Sequence, residues 1–262
     1  MGKPVVVVPE PTPFEALAGG VKDAVLFSGD FGWMFYAALI AFCACSAGAV
    51  LKASPKINFF HGCALMVLSS FGGSTLAAIM VGAPVVFVAN EALVTVCLAV
   101  WTAAYVLPTV LLGILGSPIG RLVAGTGYEI MRCHVLMNCS KMASTTLTGV
   151  VAGGRVPVIG PLIAGTLGGC GGGFMPLNKG LDPLANGTNW RIASGAINAV
   201  WILMSTQYPS TKEAIGLSVD MAKFVAVSFF VLVPLFQTFT GIVLLGANPL
   251  VPDATPAKKK KA

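Results

Sequence analysis

Charged residues divide this chain into long apolar intervals, and those intervals predict helices that cross a membrane. Residues 31–51, 57–90, 92–120, 156–178, 192–208 and 224–245 contain no Asp, Glu, Lys or Arg. Spanning hydrocarbon takes about 20 predominantly apolar residues in a helix, and each interval is of that order or longer. The second is expected to end near Gly82-Ala83-Pro84, and the third to break after Leu112, at Gly113, Gly116 and Pro118.

Residues 119–142 depart from this pattern. Ile119, Leu122, Val123, Ile130, Met131, Val135 and Leu136 recur at helical spacing after Ser117-Pro118, a favourable helix start. The same segment carries Arg121, Glu129, Arg132 and Lys141. At 1.5 Å per residue, Glu129 and Arg132 fall roughly 15–20 Å from its beginning, near mid-membrane. Ionised groups there are costly unless paired or wet. This helix is therefore predicted to face the protein interior, a cavity or a lipid headgroup.

The resulting organisation is an all-α integral membrane protein with seven spans. Lys52, Lys56, Arg121, Lys179, Arg191 and Lys258–Lys261 fall on one side, and Lys3, Lys22, Arg155 and Lys212 on the other. The excess of basic residues marks the first side as cytosolic. Residues 1–30 are then a lumenal segment, 31–112 and 113–208 two three-helix units, 209–246 a seventh helix and 247–262 a basic cytosolic tail. Lys259 and Lys260 have dilysine retention-signal spacing in that tail. Asn186-Gly187-Thr188, a glycosylation sequon, is predicted to stay unmodified on the cytosolic face.

The two three-helix units echo one another. Ala99-Val100-Trp101 recurs as Ala199-Val200-Trp201, and Gly48-Ala49-Val50 as Gly149-Val150-Val151. Phe71-Gly72-Gly73 matches the glycine run at 165–173. An odd number of spans per unit makes this an inverted repeat, an architecture that places a transport path where the units meet.

Two glycine-rich stretches sit in equivalent spans. Ser69-Ser70-Phe71-Gly72-Gly73-Ser74-Thr75 is one; the other holds six glycines in the nine residues from Gly165 to Gly173. Dense glycine weakens a helix and exposes carbonyls that can replace cation hydration. Ser70, Gly72, Gly73, Ser74, Gly168, Gly169, Gly171 and Gly172 are thus candidates for a bent, pore-lining element, against the alternative of close helix packing. Tyr128, Glu129, Arg132 and Lys141 form a second candidate set. Glu129 and Arg132 can pair along the helix, or present charge to a pore or to an anionic lipid headgroup.

Composition narrows the function classes. Of 262 residues, 56% are hydrophobic and 10% charged, which excludes an ordinary water-soluble enzyme and a disordered chain. The net charge of +6 comes largely from four tail lysines, so nucleic acid is not an expected partner. Seven cysteines lack metal-ligand spacing and read as small buried hydrophobes. No catalytic, metal or cofactor set is expected from these residues.

On these motifs the chain resembles the trimeric intracellular cation channel family, as a divergent eukaryotic-type member. The resemblance runs from about Asp30 to Leu245 and includes Gly48-Ala49-Val50 through Ser54-Pro55. Phe71-Gly72-Gly73, Leu76-Ala77-Ala78-Ile79-Met80-Val81-Gly82, Trp101 and Pro108 are similar to the family's first glycine turn, its glycine-bounded loop and the next helix. Tyr128-Glu129-Ile130-Met131-Arg132 resembles its Lys-Glu-Val-x-Arg signature, and Gly165–Met175 its second glycine element. Tyr128 replaces the signature lysine, Ala78 an acid, and Gly168 or Gly169 the lysine of the second glycine motif.

The resemblance implies a homotrimer with one pore in each protomer. It further implies potassium-permeable counter-ion flow across endoplasmic or sarcoplasmic reticulum during calcium release, and phosphoinositide contact through Arg132. The competing reading is a secondary transporter of a small solute using the same inverted repeat. Glu129 is the one deep carboxylate available for coupling, and Arg132 can neutralise it, which favours a channel. A structural scaffold would leave the second glycine run without a role.

Overall fold

The computed structural model describes residues 13–148, 150, 156–174, 190–246 and 250. Most of these residues are helical, and among them no strand forms. The elements are α1 (Pro13–Leu26), α2 (Met34–Ala53), α3 (Phe59–Val81), α4 (Val86–Ala89), α5 (Glu91–Val106), α6 (Pro108–Gly116), α7 (Pro118–Thr148), α8 (Ile159–Cys170), α9 (Trp190–Ile202), α10 (Pro209–Ile215) and α11 (Val219–Thr240). Short 3₁₀ turns, Gly29–Phe31 and Gly171–Phe174, precede α2 and follow α8; a π-turn, Leu203–Gln207, extends α9.

Local chemistry sets most of the boundaries. The Asn58 side chain accepts from the Phe60 amide at 3.0 Å and starts α3, and Gly82 ends it at φ 70°, a left-handed conformation that glycine adopts without a Cβ penalty. Asn90 caps α5 through the Ala92 and Leu93 amides, and Ser218 caps α11 through Met221. Pro108 lacks an amide proton and clashes with the preceding turn, so the third span bends by 99° between α5 and α6. The break thus comes at Leu107 rather than after Leu112.

Among the described residues, three helical stretches are long and apolar enough to cross a membrane by themselves, Gly29–Ala53, Phe59–Val81 and Val219–Thr240; the bent α5–α6 pair makes a fourth if it counts as one span. The second unit is built differently. Its first helix, α7, runs 31 residues, about 46 Å, and carries charge at its middle. α8 and α9 have 12 and 13 residues. Large apolar side chains such as Ile40, Ile79, Val106, Ile114 and Phe236 point outward, as they do where hydrocarbon is the solvent.

α2 packs along α7, and α3 packs on α8, so the first helices of the two units meet, as do the second. α8 lies at the centre, between α3, α7 and α9.

Two elements depart from the expected layout. Residues 13–26, assigned to a plain lumenal segment, form α1, which packs on α11 and is tied to α7 where His134 Nε2 meets the Val25 carbonyl at 3.0 Å. The last span starts at Val219, five residues before Phe224, and takes in Asp220 and Lys223 as an exposed pair 3.5 Å apart. The tail with Lys259 and Lys260, and the sequon at Asn186, lie outside the described residues.

Candidate functional site

The charges of α7 turn inward. Tyr128, Glu129 and Arg132 are 5%, 1% and 0% exposed, which selects the interior among the expected environments for this helix. Glu129 and Arg132 are three residues apart and lie on one face. The Nη1 group of Arg132 donates to both Glu129 oxygens, at 2.9 and 2.6 Å. Its Nε donates to the Gly169 carbonyl at 2.8 Å, near the C-terminus of α8. Its Nη2 donates to the Arg191 carbonyl at 3.0 Å and to Ser194 Oγ at 3.2 Å, both on α9.

These five bonds match the five N–H donors of a guanidinium. Trp190 Nε1 completes the carboxylate side by donating to Glu129 at 3.2 Å, and the Phe230 ring of α11 covers the guanidinium at 5.1 Å. Arg132 is therefore a hub joining α7, α8, α9 and α11. A buried ion pair is stable only when its remaining valences are satisfied in this way.

Here the lipid-headgroup expectation for this set changes. Arg132 in this conformation has each donor engaged inside the protein. Tyr128 lies under the Arg191 guanidinium at 5.4 Å and stacks on Phe42 at 4.9 Å. Lys141 is exposed, and 13 residues along α7 place it about 20 Å from Tyr128. Tyr128, Glu129, Arg132 and Lys141 do not form one site.

The glycine-rich stretches come together beside this hub, on α8, whose Gly169 carbonyl receives Arg132. α3 passes through Gly72 and Gly73 as one unbroken helix, without the bend expected of it. A Cβ on Gly73 would collide with the carbonyls of Leu167 and Gly171, and one on Gly172 with the backbone at Ser69. Glycine is needed at these positions for two backbones to touch.

The other α8 glycines serve other neighbours. Gly168 abuts Cys139 and the Val135 carbonyl of α7, and Gly169 abuts Leu136 and the Gly195 Cα. The high glycine count of the second stretch thus reflects three helices crossing α8 at close range, in line with the close-packing alternative. Only the second stretch breaks: α8 stops at Gly171, whose φ of 57° and ψ of −132° suit glycine.

Ser70 and Ser74 are buried beside this crossing. Ser70 Oγ points to Met66 Sδ at 3.8 Å, and Ser74 Oγ donates to the Phe71 carbonyl at 2.9 Å. Ser70, Gly72, Gly73, Ser74, Gly168, Gly169, Gly171 and Gly172 are all buried, and the α3–α8 crossing is closed by backbone contact. Trp190, Ser194 and Phe230, which no sequence motif marks, complete the site together with Arg191; the loop-charge assignment puts Arg191 on the cytosolic face, whereas it lies on α9 over the buried Tyr128 ring. A Trp and a Ser four residues apart on one helix face were the available signal for α9.

No family model and no curated protein matches the chain. Solved structures do. One, described as the structural basis for activity of TRIC counter-ion channels in calcium release, aligns with a TM-score of 0.60 at 18% identity and covers 86% of this chain and 100% of its own. Another, a trimeric intracellular cation channel from C. elegans in the absence of Ca2+, aligns with a TM-score of 0.58 at 16% identity, over 86% of this chain and 97% of its own. With α2 set against α7, α3 against α8 and α11 closing the bundle, this chain is an all-α membrane protein with the fold of the trimeric intracellular cation channels.

Proposed function

We propose that the chain is a divergent trimeric intracellular cation channel that conducts monovalent cations, potassium among them, through each protomer of a homotrimer. The observation that carries this reading is the α3–α8 crossing. Two glycine-rich backbones meet at Gly73 and Gly172 between the two units, and the same α8 segment receives Arg132 at the Gly169 carbonyl. An inverted-repeat membrane protein carries its path at such a junction. In the described conformation the junction is closed, so conduction requires α3 and the Gly171 turn to separate.

The further proposal is counter-ion flow across an endoplasmic or sarcoplasmic reticulum membrane during calcium release. It is supported by the fold shared with structures so described and by the basic tail. A proton- or sodium-coupled transporter would need an intramembrane acid free to bind the coupling ion. Glu129 is held by two bonds from Arg132 and one from Trp190, so it does not suit that role.

The test is the purified protein in planar bilayers under a potassium gradient. Unitary currents that reverse near the potassium equilibrium potential support the channel. Saturable, electrically silent solute flux without unitary currents would instead support a transporter.

A further inference from the structure

The Cys43 and Cys97 thiols lie 3.3 Å apart, Sγ to Sγ, one on α2 and the other on α5. Both are fully buried and reduced. They are 54 residues apart in sequence, so the fold, and not the local chain, brings them together. Two sulfurs in contact need to approach by only a little more than about 1 Å to reach the bonding distance of a disulfide. The neighbourhood is dry and apolar: Phe42, Cys43, Cys97, Trp101 and Leu93 share one core.

We propose that Cys43 and Cys97 are an oxidisable dithiol, a modification site at which hydrogen peroxide cross-links α2 to α5. Peroxide is small and neutral, so it can enter an apolar interior where a thiolate-bearing reductant or a bulky disulfide cannot. One thiol attacks peroxide: the O–O bond breaks, a sulfenic acid forms and water leaves. The second thiol then displaces hydroxide from that sulfenic sulfur, the S–S bond forms, and its proton leaves in a second water. Two thiols lose two electrons in total, and one peroxide gains them. The first step is slow, because both thiols are shut away from the surface and peroxide reaches them only by diffusing through the packed interior. The second step is fast, because the resolving thiol is already in contact.

The cross-link has a defined mechanical effect. Phe42, next to Cys43, stacks on Tyr128 of α7 and packs edge-on against Phe71 of α3, with ring centroids 4.9 and 5.6 Å apart. Tying Cys43 to Cys97 fixes this aromatic contact to α5 and encloses the whole of α3 in a covalent loop. The dithiol thereby couples the redox state to the freedom of α3, and this inference stands whether or not the protein conducts ions.

The experiment uses the full chain in native membranes. Membranes are treated with hydrogen peroxide and quenched with catalase, free thiols are blocked with a maleimide, and the protein is digested with trypsin without reduction. Cys43 and Cys45 fall in the peptide 23–52, and Cys63 and Cys97 in the peptide 57–121. The expected result is a covalent link between these peptides that dithiothreitol reverses. It should be lost in Cys43→Ala and Cys97→Ala and kept in Cys45→Ala and Cys63→Ala. Absence of the link in wild-type protein, at peroxide doses that convert exposed methionines to sulfoxide, would overturn the proposal without need of any variant. So would a link that survives Cys97→Ala, because it would then run through Cys63.

Discussion

Arg132 and Glu129 meet 2.6 Å apart on one face of α7, and neither side chain reaches solvent or lipid. The pair carries no net charge, and its remaining hydrogen bonds lead outward to α8 and α9. The charged middle of a helix that composition alone would exclude from a membrane is thus made compatible with one.

Breaking this pair from either side should be unequal. Arg132→Ala leaves the Glu129 carboxylate buried with Trp190 as its remaining donor, and a destabilisation of about 3–5 kcal/mol is expected for an orphaned buried charge. Glu129→Gln keeps an acceptor for Arg132 and should cost less. The double replacement Glu129→Leu with Arg132→Met should recover part of the loss. Unfolding midpoints in detergent measure the order. A wild-type midpoint for Arg132→Ala, together with loss of co-purified phosphoinositide, would return Arg132 to a headgroup role.

Glycine substitutions should sort by what the added Cβ meets. Gly73→Ala drives a methyl group into two backbone carbonyls of the α8 region, and backbone cannot swing aside. A loss of about 1–3 kcal/mol is expected from overpacking, with damage to assembly as well as to any current. Gly169→Ala meets the end of the Leu136 side chain first and should be milder. Gly113→Ala meets open space and should leave stability unchanged or slightly raised. Equal midpoints for Gly73→Ala and Gly113→Ala would remove the crossing from the packing argument.

The echoed tryptophans do parallel work with different partners. Trp101 Nε1 donates to the Phe59 carbonyl at 3.0 Å and holds the start of α3; Trp201 Nε1 donates to the Ala222 carbonyl at 2.8 Å and holds the start of α11. Replacing either by Phe keeps most of the ring and removes the donor, so a loss of about 1–2 kcal/mol is expected. Hydrogen exchange should then rise selectively in the first turns of α3 for Trp101→Phe and of α11 for Trp201→Phe. Uniform exchange along both helices would show that the two bonds have no local holding role.

Membrane orientation has an internal reporter. Expressed in a eukaryotic host, the chain should show no mobility shift on glycosidase treatment, because the basic side with Lys52, Lys56 and Lys179 is assigned to the cytosol and Asn186 follows Lys179 in the same segment. A glycan on Asn186 would reverse the orientation.

What the sequence determined by itself was whatever depends on a residue and its near neighbours. Charge-free length located the α2, α3 and α11 helices. Gly82 marked the end of α3, because the αL cap is a property of one residue and its own turn. Serial position also brought Glu129 and Arg132 to one face, since i and i+3 meet on any helix. Errors at this level were errors of weighting. Pro108 outranks Gly113 as a breaker, because it both removes a donor and clashes with the preceding turn. α1 is not legible as a charge-free run, because Glu15, Lys22 and Asp23 interrupt it.

Only the tertiary structure decided what the glycines and the buried charges are for. The Gly169 carbonyl that receives Arg132 is 37 residues away, and Ser194 is 62. Gly73 is buried against Leu167 and Gly171 of the other unit. A glycine that bends a helix and a glycine that admits a neighbour have the same local signature, and they differ only in whether a second backbone occupies the missing Cβ's space. The same holds for Cys43 and Cys97, ordinary small apolar residues in the chain and contacting thiols once α2 and α5 are packed. Distances between residues far apart in sequence are set by the sum of many weak packing choices, and no single position along the chain records that sum.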